Sequence, residues 1–170
     1  MSYWDTSTLV KLYAQEPDSA AFESYALNAP AKAVTSRIAL YEARATFQRK
    51  EAQSILQPGC AQKLYSQLMQ DVAAGELRLV ELGVDVEREY GQVLSQCYQQ
   101  TPAIPLRTLD VLHLASARVA GETKVVATDK RMRDPAKLLG LSLFPVWDDG
   151  APPRPATRKM KGLGQGPARC

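Results

Sequence analysis

The sequence predicts an α/β fold of three layers, α/β/α, in which helices cover both faces of a central, mostly parallel sheet. Two observations carry this. Short strand-like runs alternate with helical stretches along most of the chain, and each parallel strand pair needs a crossover long enough to hold a helix. The composition, 45% hydrophobic and 23% charged in 170 residues, suits one globular domain with its own core.

Ser2 to Asp5 reads as the first strand, and Thr6-Ser-Thr8 as the cap of a helix from about Leu9 to Gln15. Pro17, suited to a first turn, starts a helical stretch reaching Asn28. Lys32 to Thr35 is a strand, after which Ser36 caps a helix to about Glu51. Pro58 or Gly59 opens a helix with Leu64, Leu68, Met69 and Val72 on one side, and Gly75 ends it. Leu77 to Leu82 alternates as a strand, and Val84 to Gln99 is helical with Asp85 as its cap. Thr101-Pro-Ala-Ile-Pro105 is a loop. Leu109 to Ala120 is a helix, apolar nearly all round and therefore expected to be buried, closed by Gly121. Lys124 to Thr128 is a strand, Arg131 to Leu139 a short helix and Leu141 to Val146 the last strand, with Asp148-Asp-Gly150 a terminal turn. No internal repeat is present.

Residues 1–149 form the expected domain, and residues 150–170 a basic, Pro/Gly-rich tail expected to be disordered. All five basic residues after Gly150 (Arg154, Arg158, Lys159, Lys161, Arg169) lie where no acid does. Without them the net charge of +3 becomes 16 basic against 18 acidic residues, so the domain itself is slightly acidic. The tail is either an RNA-phosphate contact or a solvated terminus. No apolar run reaches bilayer length and no basic, cleavable leader opens the chain, which leads us to expect a cytoplasmic protein without membrane association. Cys60, Cys97 and Cys170 are odd in number and far apart, arguing against zinc and a disulfide framework.

Four carboxylates sit where acids are costly or conspicuous. Asp110 lies in the apolar helix. Glu42 lies on a helix whose neighbours three and four residues away, Ile38, Ala39, Ala45 and Thr46, offer it no cation. Asp5 and Asp129 stand at the carboxyl ends of two strands, the edge at which parallel sheets bind ligands. Three of the acids also have an ordinary reading, and Glu42 is the hardest to dismiss. Asp5 and Asp129 can be helix caps, and Asp110 can pair with Arg107 or hydrogen-bond His113, itself read as a packed core residue. Taken together on one rim, the four would repel one another unless they shared a proton or a cation. Hard oxygen donors without His or Cys select Mg²⁺ or Mn²⁺, and such a site suits hydrolysis at phosphorus, which points to a metal-dependent nuclease or phosphatase.

Four segments then resemble, in order and spacing, the motifs of PIN-domain ribonucleases, in particular VapC-like toxins of bacterial toxin–antitoxin pairs. They are Tyr3-Trp-Asp-Thr-Ser7, Thr35-Ser-Arg-Ile-Ala-Leu-Tyr-Glu-Ala-Arg44, Asp110-Val-Leu-His-Leu-Ala-Ser-Ala117 and Val125-Val-Ala-Thr-Asp-Lys-Arg-Met132. The resemblance covers roughly residues 1–147 and implies a PIN-like fold and an Mg²⁺- or Mn²⁺-dependent endoribonuclease. It implies Asp5, Glu42, Asp110 and Asp129 as the catalytic acids, with Asp5 and Asp110 the principal metal ligands. Thr6, Ser7 and Thr128 would be supporting hydroxyls, although Ala127 stands where the family often has its hydroxyl residue, two before the last acid. Arg44, Lys130, Arg131 and Arg133 are candidate RNA contacts, as are Arg49 and Lys50. A cognate antitoxin, whose tail would fill the acidic groove, and a homodimer are the implied partners. Two alternatives remain at this point: an inactive PIN-like RNA- or protein-binding module, and another Mg²⁺-dependent phosphohydrolase, against whose aspartyl type the Asp5-Thr-Ser7 spacing argues.

Overall fold

The computed structural model describes residues 2–147; the terminal turn at Asp148 and the basic tail lie outside that range. Within it, β1 (Tyr3–Trp4) leads into α1 (Thr6–Leu9), a 3₁₀ turn (Val10–Leu12) and α2 (Ser19–Leu27). Then follow β2 (Ala33–Ser36), α3 (Arg37–Ala52), α4 (Cys60–Ala73), β3 (Leu77–Val80), α5 (Val84–Tyr98), α6 (Thr108–Val119), β4 (Lys124–Val126), α7 (Lys130–Leu138) and β5 (Ser142–Phe144). The strands pair in the order β3-β2-β1-β4-β5, every pair parallel. The sheet is thus wholly rather than mostly parallel.

Period-two alternation in β1 explains the layers. Trp4 enters one core with Leu9, Phe22, Leu40, Phe47 and Leu68, from the first four helices. Tyr3 enters the other with Val93, Val111, Leu114 and Met132, from the last three. Val125 and Val126 divide the same way on β4. A sheet buried on both faces in this manner needs apolar residues on both sides of its central strands, which Tyr3, Trp4, Val125 and Val126 supply.

Several boundaries differ from the sequence reading for local reasons. The helix after β1 begins at Thr6, not Leu9, because Asp5 is its cap, accepting from the Ser7 backbone N–H. Thr8, expected to cap, instead donates to the carbonyls of Asp5 (2.9 Å) and Val126 (2.8 Å). The segment then tightens into the 3₁₀ turn and ends at Leu12 rather than Gln15. Asp85 does not cap α5; Gly83 holds that position and Asp85 pairs with Arg88 at 3.1 Å. Gly75 closes α4 as expected, at φ +69, with the Glu76 N–H reaching back to the Asp71 carbonyl at 2.8 Å, a left-handed exit that disfavours any side chain. The expectation that α6 is buried all round fails at Leu109 (44% exposed) and Val119 (39%). Cys97 is a free buried thiol.

Candidate active site

The chain winds outward from β1 to β2 and β3, then returns to place β4 and β5 on the other side of β1. The reversal leaves a crevice at the carboxyl ends of β1 and β4, where a doubly wound sheet binds its ligands. Those two ends are tied together. The Asp5 N–H donates to the Val126 carbonyl at 3.0 Å, and Thr8 bridges the same two residues. Asp5 and Asp129, one residue and three residues beyond their strands, therefore face one rim.

A cleft of about 680 Å³ opens there, lined by Asp5, Glu42, Asp110 and Asp129, with Thr6, Ser7 and Thr128 among them. All four predicted acids and all three predicted hydroxyls are thus brought together. Asp5 is nearly buried, and its Oδ2 accepts from the Ser7 hydroxyl at 2.5 Å. Asp129 caps α7, its Oδ1 accepting from the Arg131 N–H at 3.0 Å. Both ordinary readings of these acids as caps are therefore correct, and neither keeps the side chain out of the cleft.

Asp110 makes no ion pair with Arg107 and no hydrogen bond with His113. Its Oδ2 is buried without any partner. Burial pushes its carboxyl above the usual carboxylate range, the charges of Asp129 and Asp5 push it further, and His113 and Arg107 only partly offset this. Glu42 behaves oppositely. Burial raises it, but hydrogen bonds from His113 and Thr6 to the same oxygen, Oε2, outweigh that and hold it below its ordinary value.

His113 is the residue the sequence reading undervalued. It is buried as expected, yet its Nε2 lies 2.8 Å from Glu42 Oε2 and 3.9 Å from Asp5 Oδ1, while Nδ1 lies 2.7 Å from the Tyr3 hydroxyl. Burial works against its charged form, but the Glu42 bond and the nearby Asp5, Glu42 and Asp110 charges raise its affinity for a proton overall. The one signal available was its place one helical turn beyond Asp110, on the same face of α6.

The predicted cations divide. Arg133 is buried; it donates to the carbonyls of Ala127 (2.7 Å) and Pro145 (2.8 Å) and stacks 3.5 Å from the centre of the Trp147 ring. It clamps the ends of β4 and β5 together and is not free to meet a substrate. Arg44 is exposed but lies over Tyr65, at 5.1 Å, outside the cleft lining. Lys130 and Arg131 are exposed beside Asp129. Within the cleft the cations are Lys11, Arg49, Lys50 and Arg107, and of these Lys11 and Lys50 are already paired with Glu16, at 3.4 and 2.7 Å.

A divalent cation fits this donor set in one particular way. Among the described residues no three His, Cys, Asp or Glu side chains are gathered into a cage. Mg²⁺, however, commonly takes one or two carboxylates and fills its remaining positions with water. The unpartnered Asp110 Oδ2, the acidic charges crowding around it and an open cleft whose acidic donors are all oxygens meet that requirement.

The model of the PIN domain family matches residues 2–138. Ribonuclease VapC46 of Mycobacterium tuberculosis is 34% identical over 145 residues, covering 84% of this chain and 95% of that protein. Among solved structures, Mycobacterium tuberculosis VapC20, described as a Sarcin-Ricin loop cleaving toxin, superposes with a TM-score of 0.61 at 16% identity, covering 79% of this chain and 94% of that one. VapBC2 of Rickettsia felis, bound to a fragment of promoter DNA, superposes with a TM-score of 0.56 at 18% identity, covering 84% and 97%. The fold, the matched family model and the VapC relative agree, and the chain belongs to the PIN-domain family, in its VapC-like branch.

Proposed function

We propose that this protein is an Mg²⁺- or Mn²⁺-dependent endoribonuclease and the toxin of a toxin–antitoxin pair. The observation that carries the nuclease reading is the convergence of Asp5, Glu42, Asp110 and Asp129 on one cleft, with Asp110 Oδ2 left without a protein partner. Asp5 and Asp110 would hold the cation, which makes a bound water more acidic and neutralises charge on the phosphate. The Ser7 hydroxyl fixes Asp5 Oδ2. Thr6 and His113 occupy Glu42 Oε2, so that Oε1 is the atom available to orient the attacking water and take its proton. Asp129 completes the acidic wall, with Thr128 beside it. The toxin role draws on the VapC relative and on the toxin–antitoxin complexes among the structural neighbours. It carries with it a cognate antitoxin whose tail enters the cleft, a homodimer and a cytoplasmic location. No described helix is long and apolar enough to cross a membrane.

Purified protein with Mg²⁺ or Mn²⁺ is expected to cut RNA, chelation to stop it, and Asp5→Ala or Asp110→Ala to abolish it. Undiminished cleavage by either variant would overturn the assignment. Expression is expected to arrest growth and the product of a small neighbouring gene to relieve the arrest.

A further inference from the structure

Glu42 ends a chain of three side chains drawn from three separate elements. Tyr3, on β1, is fully buried, and its hydroxyl meets Nδ1 of His113, on α6, at 2.7 Å. The opposite ring nitrogen meets Glu42 Oε2, on α3, at 2.8 Å. An imidazole so placed cannot rotate without breaking a buried hydrogen bond at one end or the other, and the edge-on packing of the Tyr3 ring, 5.9 Å between centres, further restricts it. Because Thr6 and His113 both land on Oε2, the carboxylate is fixed by one oxygen and presents the other.

We infer that Tyr3 and His113 form a positioning pair, which sets the orientation of Glu42 and through it the geometry of the attacking water. The inference rests on the reading of the cleft as a phosphodiesterase site. Neither residue touches substrate; both act through Glu42. The buried Tyr3 hydroxyl is held neutral, its ionisation pushed far up mainly by burial. Glu42, held in its charged form, can only accept. Nε2 then carries the proton that Glu42 accepts.

His113 is the sole histidine of the chain, so a long-range ¹H–¹⁵N spectrum of the metal-free protein reads this network without assignment. Nε2 is expected to be protonated, and Tyr3→Phe is expected to move the Nδ1 resonance; an unprotonated Nε2 overturns the proposal. In the cleavage assay Tyr3→Phe, which removes one oxygen and keeps the ring, is expected to lower kcat about tenfold with KM for RNA unchanged. In a Glu42→Gln background the same change is expected to have no further effect, since residues acting through one group are not additive. Equal losses in both backgrounds would show a merely structural role and overturn the proposal. Should the wild type fail to cleave RNA, the functional reading fails, and the NMR spectrum still decides whether the ring holds Glu42.

Discussion

At Asp110 three influences act on one carboxyl. Burial comes first, the Asp129 and Asp5 charges reinforce it, and the opposing pull of His113 and Arg107 does not prevail. The group therefore binds its proton more tightly in the folded protein than in the unfolded chain. Between those two proton affinities the native state carries more protons, so stability falls as pH rises through the window and the full penalty is present above it. Below the unfolded value of about 3.9 the penalty is absent. Asp110→Asn is accordingly expected to raise the melting temperature of metal-free protein at neutral pH by roughly a few degrees, and to give no gain near pH 3. A gain that persists unchanged at low pH would show that the charge is not its cause. The same carboxyl supplies a readout for the cation independent of activity. Mg²⁺ at 100 times its dissociation constant stabilises a folded protein by about 2.7 kcal/mol. That shift is expected in the wild type and not in Asp110→Asn.

At the scale of elements, α1 and α7 each begin on an acid that also lines the cleft. Capping and chemistry can be separated at Asp5. Asn caps as well as Asp, whereas Ala loses about 1 kcal/mol. Asp5→Asn is expected to be inactive yet clearly more stable than Asp5→Ala by urea denaturation; equal stabilities would remove the cap from the account. Arg133 makes the complementary case. Its two bonds to backbone carbonyls and its stacking on Trp147 predict that Arg133→Ala destabilises by about 2–3 kcal/mol, with RNA affinity at fixed folded concentration unchanged. Nothing in the segment Lys130-Arg-Met-Arg133 distinguishes the buried arginine from its exposed neighbours, because the carbonyls it binds belong to the ends of β4 and β5 and come into reach only on folding. Glycine exits, strand alternation and the longer helices were legible because each is written within a few residues. The start of α1 was misread because Asp5, Thr6, Ser7 and Thr8 are all competent caps, and which of them acts depends on the distant Val126 carbonyl. His113 escaped for the same reason, its partners being 110 and 71 residues away.

Over the whole molecule, the order of strands matters more than any one of them. Winding outward from β1 in both directions brings two carboxyl ends side by side and lets α3 and α6 add a third and a fourth acid. The sequence motifs identified these acids individually; only the topology explains why segments separated by most of the chain share a cleft. Such a cleft would repel a polyanion were it acidic throughout, but its lining also carries cations. Lys11 is neutralised by Asp18 and Lys50 by Glu16, which leaves the exposed Arg49 and Arg107 as the cleft-lining cations with charge to spare for phosphates on either side of the bond to be cut. In an Asp5→Asn background, where RNA binds without being cleaved, Arg49→Ala and Arg107→Ala are each expected to weaken binding across sequences. Each is also expected to reduce the slope of log K against log salt by about 0.7, the value for one single-strand phosphate contact. Arg44→Ala, outside the cleft and held over Tyr65, is expected to leave that slope unchanged. If Arg44 rather than Arg49 and Arg107 carries the salt dependence, the RNA does not run along this cleft, and the path of the substrate must be drawn across the outer face of α3 instead.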